Sequence, residues 1–465
     1  MMRSLYSGVS GLKVHQTKMD VIGHNISNVN TIGFKSGQVN FSDILYQTTA
    51  NASGPNAEAN TAGTNARQIG LGASVASIQN TVTVSGGTQR TDNALDLMIE
   101  GDQLFIVNNG VQNYFTKAGA FTVDAAGVLC NTGGCKVMGW QVDPNDPTRC
   151  VQDTVSELRV RSAETSFVEP EATENVYFSG NIDYKDTQLQ SDTGKTSTIS
   201  FYDKLGQSYM AVVNMIKPDG AADGDFEVKI SDILDSSGQS IFVKKEVDAS
   251  NNEKYVASGI PSVTFGSTTF TASNIDQETG KFDMTGNGIA LKFNASNGRF
   301  IQIGSEANAK SVSMTINGGD AFTPIDCNFS SMTMYASSGS SSFSCQRGSL
   351  DNGSGAGKPK GNMTGISVDT SGRIYGSYDN GDKKLLCQIA VARFANPAGL
   401  EAVGNSLFLD TMNSEKFDGR GEDIAMHGGS FLHSSRISSS SVNVIPSVRP
   451  TKRSLIRSSS SGYSR

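Results

Sequence analysis

Between residues 3 and 30, apolar side chains return every three or four positions: Leu5, Val9, Leu12, Met19, Ile22, Ile26 and Val29. With Gln16 counted on the same line, the spacings run 4, 3, 4, 3, 3, 4, 3. That is close to the 3.5-residue period of a coiled-coil seam. The pattern predicts one helix over 3–30, capped at Ser4, with Lys13, Lys18 and Asp20 off the seam. A helix packed on its own globular domain shows a broader apolar face. So narrow a stripe calls for a partner helix, from this chain or from a neighbouring copy. The helix is expected to end after Asn30, because Asn25, Asn28, Asn30 and Gly33 favour caps and turns over helix interiors.

The period then changes. Residues 48–65 are mostly Ala, Asn, Gly and Thr without periodicity, and read as a flexible connector. From residue 66 onward short strands are expected, among them Thr81–Val84, Leu104–Val107, Phe121–Val123, Thr198–Tyr202, Phe226–Ile230 and Ser311–Ile316. The run Asp143-Pro-Asn-Asp-Pro-Thr-Arg149 reads as a stiff turn and a domain boundary. The Ser- and Gly-rich stretch 336–361 reads as a surface loop or linker. Dense strand pattern returns over 365–410. From 430 the chain is rich in Ser and Arg, has no acidic residue and no helical stripe, and reads as disordered. The fold expected is mainly β with an N-terminal α-helix, with a β region at 146–361 lying between β flanks.

Composition narrows the picture only a little. The formal charge is −7, which gives no reason to expect nucleic acid as a partner. No stretch approaches the ~20 apolar residues of a membrane helix. Met1 to Lys18 has no apolar core of the secretory-signal kind, so the chain is expected inside the cell or exported by another route. The six cysteines are too sparse for a disulfide scaffold. Cys130 and Cys135 flank Asn-Thr-Gly-Gly and form at best half of a zinc site, with no second pair and all four His far off in sequence. No Ser/His or Cys/His nucleophile motif is present. The Gly-rich runs lack the Lys-Ser/Thr of a phosphate loop, since Lys358 is followed by Pro359. Acidic pairs such as Asp223 and Asp225 have the context of turns. The chain is read as a non-enzyme with no cofactor, no metal and no membrane insertion.

Residues 2–35, MRSLYSGVSGLKVHQTKMDVIGHNISNVNTIGFK, carry a run that is highly specific. It resembles the N-terminal signature of the bacterial flagellar axial proteins, which build rod, hook and junction, in Asn25, Asn28, Asn30, Thr31, Gly33, Phe34 and Lys35. Gly101 to Phe105, Tyr114 to Phe121, Phe201 to Gly206, Gly365 to Gly381 and Phe394 to Glu401 are similar to later motifs of the same family. The long insertion at 146–361 favours the hook branch over the shorter distal rod branch, which remains the alternative. A β-rich surface-binding module is a more distant one.

The resemblance implies a tube-forming subunit of a flexible joint that transmits torque between rod and filament in cell motility. Terminal helices would pair in a coiled coil, with Leu5, Val9, Leu12, Met19, Ile22, Ile26 and Val29 as the assembly seam. It implies the segments 1–47 for assembly, 48–65 as connector, 66–145 with 362–425 as an inner β domain, 146–361 as an outer domain inserted into it, and 426–465 as an atypical tail. It implies as partners the chain itself, the rod, the hook cap, the hook-filament junction proteins and the export apparatus. The implied location is the flagellum, outside the cell, reached without a cleaved signal peptide. Residues 430–465 depart from the family: they lack an apolar heptad and a segment like Gln-Arg-Ala-Tyr-Gln-Ala-Asn. Arg449-Pro-Thr-Lys-Arg453 can be encoded so that a frame one base earlier reads Ala-Tyr-Gln-Ala.

Overall fold

The computed structural model describes residues 2–55, 62–247, 253–426 and 431–441. The chain divides into two compact units. The first gathers Met1–Thr165, Gly365–Ser377 and the chain from Lys383 on; the second holds Ser166–Thr364 and Tyr378–Asp382.

The first unit opens with α1 (Met2–Ser27). Ser4 therefore lies within the helix instead of capping it. The helix also stops three residues short of Asn30. Ser27 Oγ and Asn28 Nδ2 both donate to the His24 carbonyl, at 2.9 and 3.0 Å, and such local side-chain bonds compete with helix propagation. The chain then enters a long two-stranded ribbon. Its root pairs β1 (Gly37–Asp43) with the later strand Ala73–Asn80; further out, β2 (Tyr46–Ala50) pairs with β3 (Arg67–Gly70). The strand Ala73–Asn80 is β4.

The ribbon corrects the expectation of a flexible connector over 48–55 and 62–65, while residues 56–61 of that connector lie outside the described residues. The ladder continues to a Ser53–Thr64 bridge. It is held by backbone bonds and by polar side chains: Thr49 Oγ1 donates to Arg67 O at 3.0 Å, and Ser53 Oγ meets Thr64 Oγ1 at 2.8 Å. Such a ladder has no buried face, so it leaves no alternation of apolar and polar residues in the sequence.

Beyond the ribbon, β5 (Thr88–Arg90), β6 (Leu97–Glu100), β7 (Leu104–Asn108) and β8 (Asn113–Thr116) lead into the core. Leu104, Ile106, Phe115, Trp140, Phe394 and Phe408 are all buried there in one cluster. The Trp140 Nε1 donates to Asp153 O and Arg420 O, at 3.0 and 3.1 Å. The expected boundary at 143–149 is instead the turn of a hairpin, Lys136–Asp143 against Asp146–Cys150, inside this unit. Asp143 and Asp146 each accept an amide two residues on, from Asn145 at 2.9 Å and Thr148 at 3.0 Å. The turn read from this run is present, but it makes a reversal inside one unit rather than a linker. The chain stays in the first unit until Thr165, with Leu158 and Val160 fully buried.

The expected disorder from 426 is corrected in part. Phe431–Ser434 pairs with β6, and Arg436–Ser438 pairs with β5. Strand pairing uses the backbone, so a Ser-rich segment joins a sheet edge without any apolar period. The remainder of the tail, 427–430 and 442–465, lies outside the described residues.

The second unit contains a seven-stranded sheet, from Asp283–Thr285 at one edge to Ser342–Arg347 at the other, and a five-stranded sheet running from Lys195–Tyr202 to Phe300–Ile303. Apolar side chains of both form one core, including Phe178, Phe201, Phe226, Phe265 and Phe329. The strands alternate between buried and half-buried residues, clearly so in Asp225–Leu234. The stretch 336–361, read as a loop or linker, contains the strand Ser342–Arg347. Its start is tied down by buried carboxylates. Asp183 accepts the amides of Ser337 at 2.6 Å and Gly339 at 2.8 Å, and Asp186 accepts that of Ser341 at 2.8 Å. The amides of Lys185 and Ser337 hold the Asp183 carboxyl below its ordinary range.

One turn recurs in both units. Asp124, Asn131, Asp203, Asp235 and Asp369 each begin an Asp/Asn-x-x-Gly-x reversal in which the side-chain Oδ1 accepts the amide four residues on, at 2.7–2.9 Å. The glycine three residues on stands at φ 78–79° in all five. A type I turn followed by a left-handed glycine closes a hairpin in register.

Candidate functional site

The helix α1 has two contrasting faces. Leu5, Val9, Leu12, Met19, Ile22 and Ile26 are all exposed, Leu12 at 69% and Met19 at 67%, while Val29 beyond the helix end is half-buried. The opposite face packs on the ribbon. Val14 is its one buried residue, at 6%. His15 sits edge-on to Phe41 at 5.6 Å, and the Lys18 ammonium lies 5.6 Å over the same ring. Asn25 brackets Gly37, donating to its carbonyl and accepting its amide, both at 2.9 Å. Among the described residues, the chain thus covers the polar, small-residue side of its own helix and leaves the greasy side bare.

The signature residues form a compact loop below the helix. Asn28 Oδ1 accepts Thr31 Oγ1 at 3.1 Å. Asn30 and Thr31 are exposed at the rim. Gly33 stands at φ 69°, and a Cβ there would lie 2.7 Å from the Ala118 amide nitrogen, so glycine is required twice over. The Phe34 ring meets His24 edge-on at 5.3 Å. Lys35 is buried at 4% exposure, and its Nζ donates to Val84 O at 2.5 Å. Burial lowers its pKa to about 8.

Several partners of this loop carry no signal in the sequence. Gly33 N donates to Ser438 O at 3.0 Å, Ser440 Oγ to Val29 O at 2.6 Å, and Ser441 N to Phe34 O at 3.0 Å. The C-terminal serines therefore fasten the signature. From another direction comes the hairpin Glu401–Gly404 with Leu407–Leu409, turning through Asn405 and Ser406 at φ 52° and 58°. Ser406 Oγ donates to Ile32 O at 3.2 Å. A cleft of about 400 Å³ separates this hairpin from His24, Phe34 and Lys35.

None of this resembles a reaction centre. Among the described residues, no three His, Cys, Asp or Glu stand close enough to share a metal ion. All six cysteines are free thiols. Cys130 faces Thr122 across a strand pair, Sγ to Oγ1 3.6 Å, while Cys135 is buried, and the loop between them is closed by the Asn131 side chain instead. Among the described residues no helix is long and apolar enough to cross a membrane.

Comparison with known proteins places these features. Residues 5–35 match the family model described as flagella basal body rod protein. The flagellar hook protein FlgE of Treponema pallidum is 30% identical over 427 residues, spanning 89% of this chain and 86% of that protein. The hook protein of Borreliella burgdorferi is 31% identical over 424 residues, with the same two shares. The flagellar basal-body rod protein FlgG of Bacillus subtilis is 48% identical over 138 residues, covering 30% of this chain and 51% of that protein.

Proposed function

Because the chain belongs to the flagellar hook protein family, we propose that it is a structural subunit of the hook whose bare helical stripe is buried by neighbouring copies. The observation that carries this reading is the orientation of α1. Six apolar side chains, Leu5, Val9, Leu12, Met19, Ile22 and Ile26, face outward while the opposite side of the helix is already packed. Covering one Leu or Ile contributes about 1.5–3 kcal/mol. A row of six offsets the ordering cost of a terminal helix when subunits meet. Contacts between copies that do not close into a ring generate a helical tube. The signature loop, fixed by Lys35, Gly33 and the serines 438–441, is the anchor that presents the stripe.

The tube is a flexible joint passing torque from rod to filament. It would adjoin rod, hook cap and hook-filament junction proteins at its ends. Its subunits would arrive through the flagellar export apparatus without a cleaved signal. Family resemblance supports these finer points. A distal-rod subunit is the weaker reading, since the hook relatives align over 89% of the chain and the rod relative over 30%. The hook relatives carry the name of a structural subunit, which supports a structural role over a catalytic one.

Leu12→Asp places a carboxylate in the middle of the stripe. Under polymerising conditions, light scattering of this variant should stay at the monomer level while its circular dichroism matches the parent. Normal polymers from Leu12→Asp would overturn the seam.

A further inference from the structure

The signature loop packs around two buried lysines. Lys35 and Lys117 are 4% and 2% exposed. Gly33 packs against Ala118, so the two lysine-bearing segments lie side by side. Lys35 Nζ donates to Val84 O and Lys117 Nζ to Gly101 O, both at 2.5 Å. An ammonium has three N–H groups to satisfy. Each of these has one carbonyl acceptor among the described residues. Taking even one such cation out of water is costly, and two like charges in one corner add repulsion.

From this cluster we propose that Lys35 and Lys117 are a proton-operated latch for the signature loop: it is closed while one amine is neutral and loosens when both carry a proton. The proposal does not rest on the assembly reading. Burial first, then the neighbouring Lys35 charge, lowers the Lys117 pKa to about 7, with Asp102 acting in the opposite direction. Lys35 is lowered to about 8 by burial. Glu100, on β6, is engaged at the surface with His433 at 3.1 Å. An opened loop returns both amines to water and to an ordinary value near 10.4. Between about 7 and that value the open form binds more protons than the closed one. The closed form therefore gains stability as pH rises through this window, loses it as pH falls, and is level below it.

Hydrogen exchange of the Gly33 and Ser441 amides tests the latch, since these amides bond to Ser438 and Phe34 across the closed loop. After correction for intrinsic exchange, their protection should be at least ~10-fold lower at pH 6 than at pH 9. The amide of Val213, in the second unit's five-stranded sheet, serves as the control and should not follow. Lys117→Met should reduce the slope to the part above about pH 8 that Lys35 supplies by its own burial. Lys117→Arg, permanently charged, should protect these amides less than the parent does at pH 9, and should follow only the Lys35 step, loosening as pH falls through about 8 instead of about 7. Should that variant not fold, Lys35→Met decides, with a reduced slope expected. Equal protection at both pH values in the parent, or an unchanged slope in Lys117→Met and Lys35→Met, overturns the proposal.

Discussion

The strands of the second unit turn their apolar side chains inward, whereas α1 in the first unit turns its own outward. Both carry regular apolar patterns, with period 2 in Asp225–Leu234 and near 3.5 in α1. The strands are satisfied within one chain: Phe178 stacks on Phe329 with centroids 4.2 Å apart, and both are fully buried. The helix is satisfied only on its polar side, through Val14, His15 and Asn25. A periodic apolar stripe therefore says that burial is needed, not that the same molecule supplies it.

The contrast can be broken or sharpened at graded cost. Phe178→Ala should destabilise the second unit by about 3–5 kcal/mol, because it opens a cavity in a closed core; denaturant unfolding measures it, and a loss under ~1 kcal/mol would mean that core is loosely packed. Gly33→Ala should cost about 2 kcal/mol in the first unit, from a left-handed backbone and the clash with Ala118. Exchange at Gly33 to Lys35 should rise with it, and an unaltered pattern would show the loop yields without strain. Asp235→Ala removes the acceptor of the Ser237 and Gln239 amides and should cost about 1 kcal/mol, read as a small fall in unfolding midpoint. Leu12→Asp should shift monomer stability by less than about 0.5 kcal/mol, the normal range for an exposed site. A large shift would mean that the stripe is already covered within one chain.

The legible parts of the sequence were those with a period or a side-chain-specific turn. The α1 stripe shows because apolar spacing fixes a helix face, and the turn at Asp143–Arg149 shows because Asp and Pro suit a reversal. The helix end was overrun because Asn28 and Ser27 bond backward to His24, a geometry that composition does not reveal. The ribbon beyond Tyr46 and the strand Arg436–Ser438 were missed for a shared reason. Each is held by backbone ladders and hydroxyls, which any polar sequence can supply. The domain boundary was misplaced because Pro144 and Pro147 mark a reversal, and nothing local marks Thr165. In the site, resemblance identified Gly33 and Lys35, but Lys117, Ser438 and Ser441 become their neighbours only through long-range folding.

Trp140 is the sole tryptophan of the chain, and its indole is buried in the first unit between the Asp153 and Arg420 carbonyls. Intrinsic fluorescence excited at the indole band is therefore blind to the second unit. Melting followed by emission tracks one half of the molecule, and melting followed by ellipticity tracks both. Any gap between the two curves measures directly how far the halves denature as separate bodies.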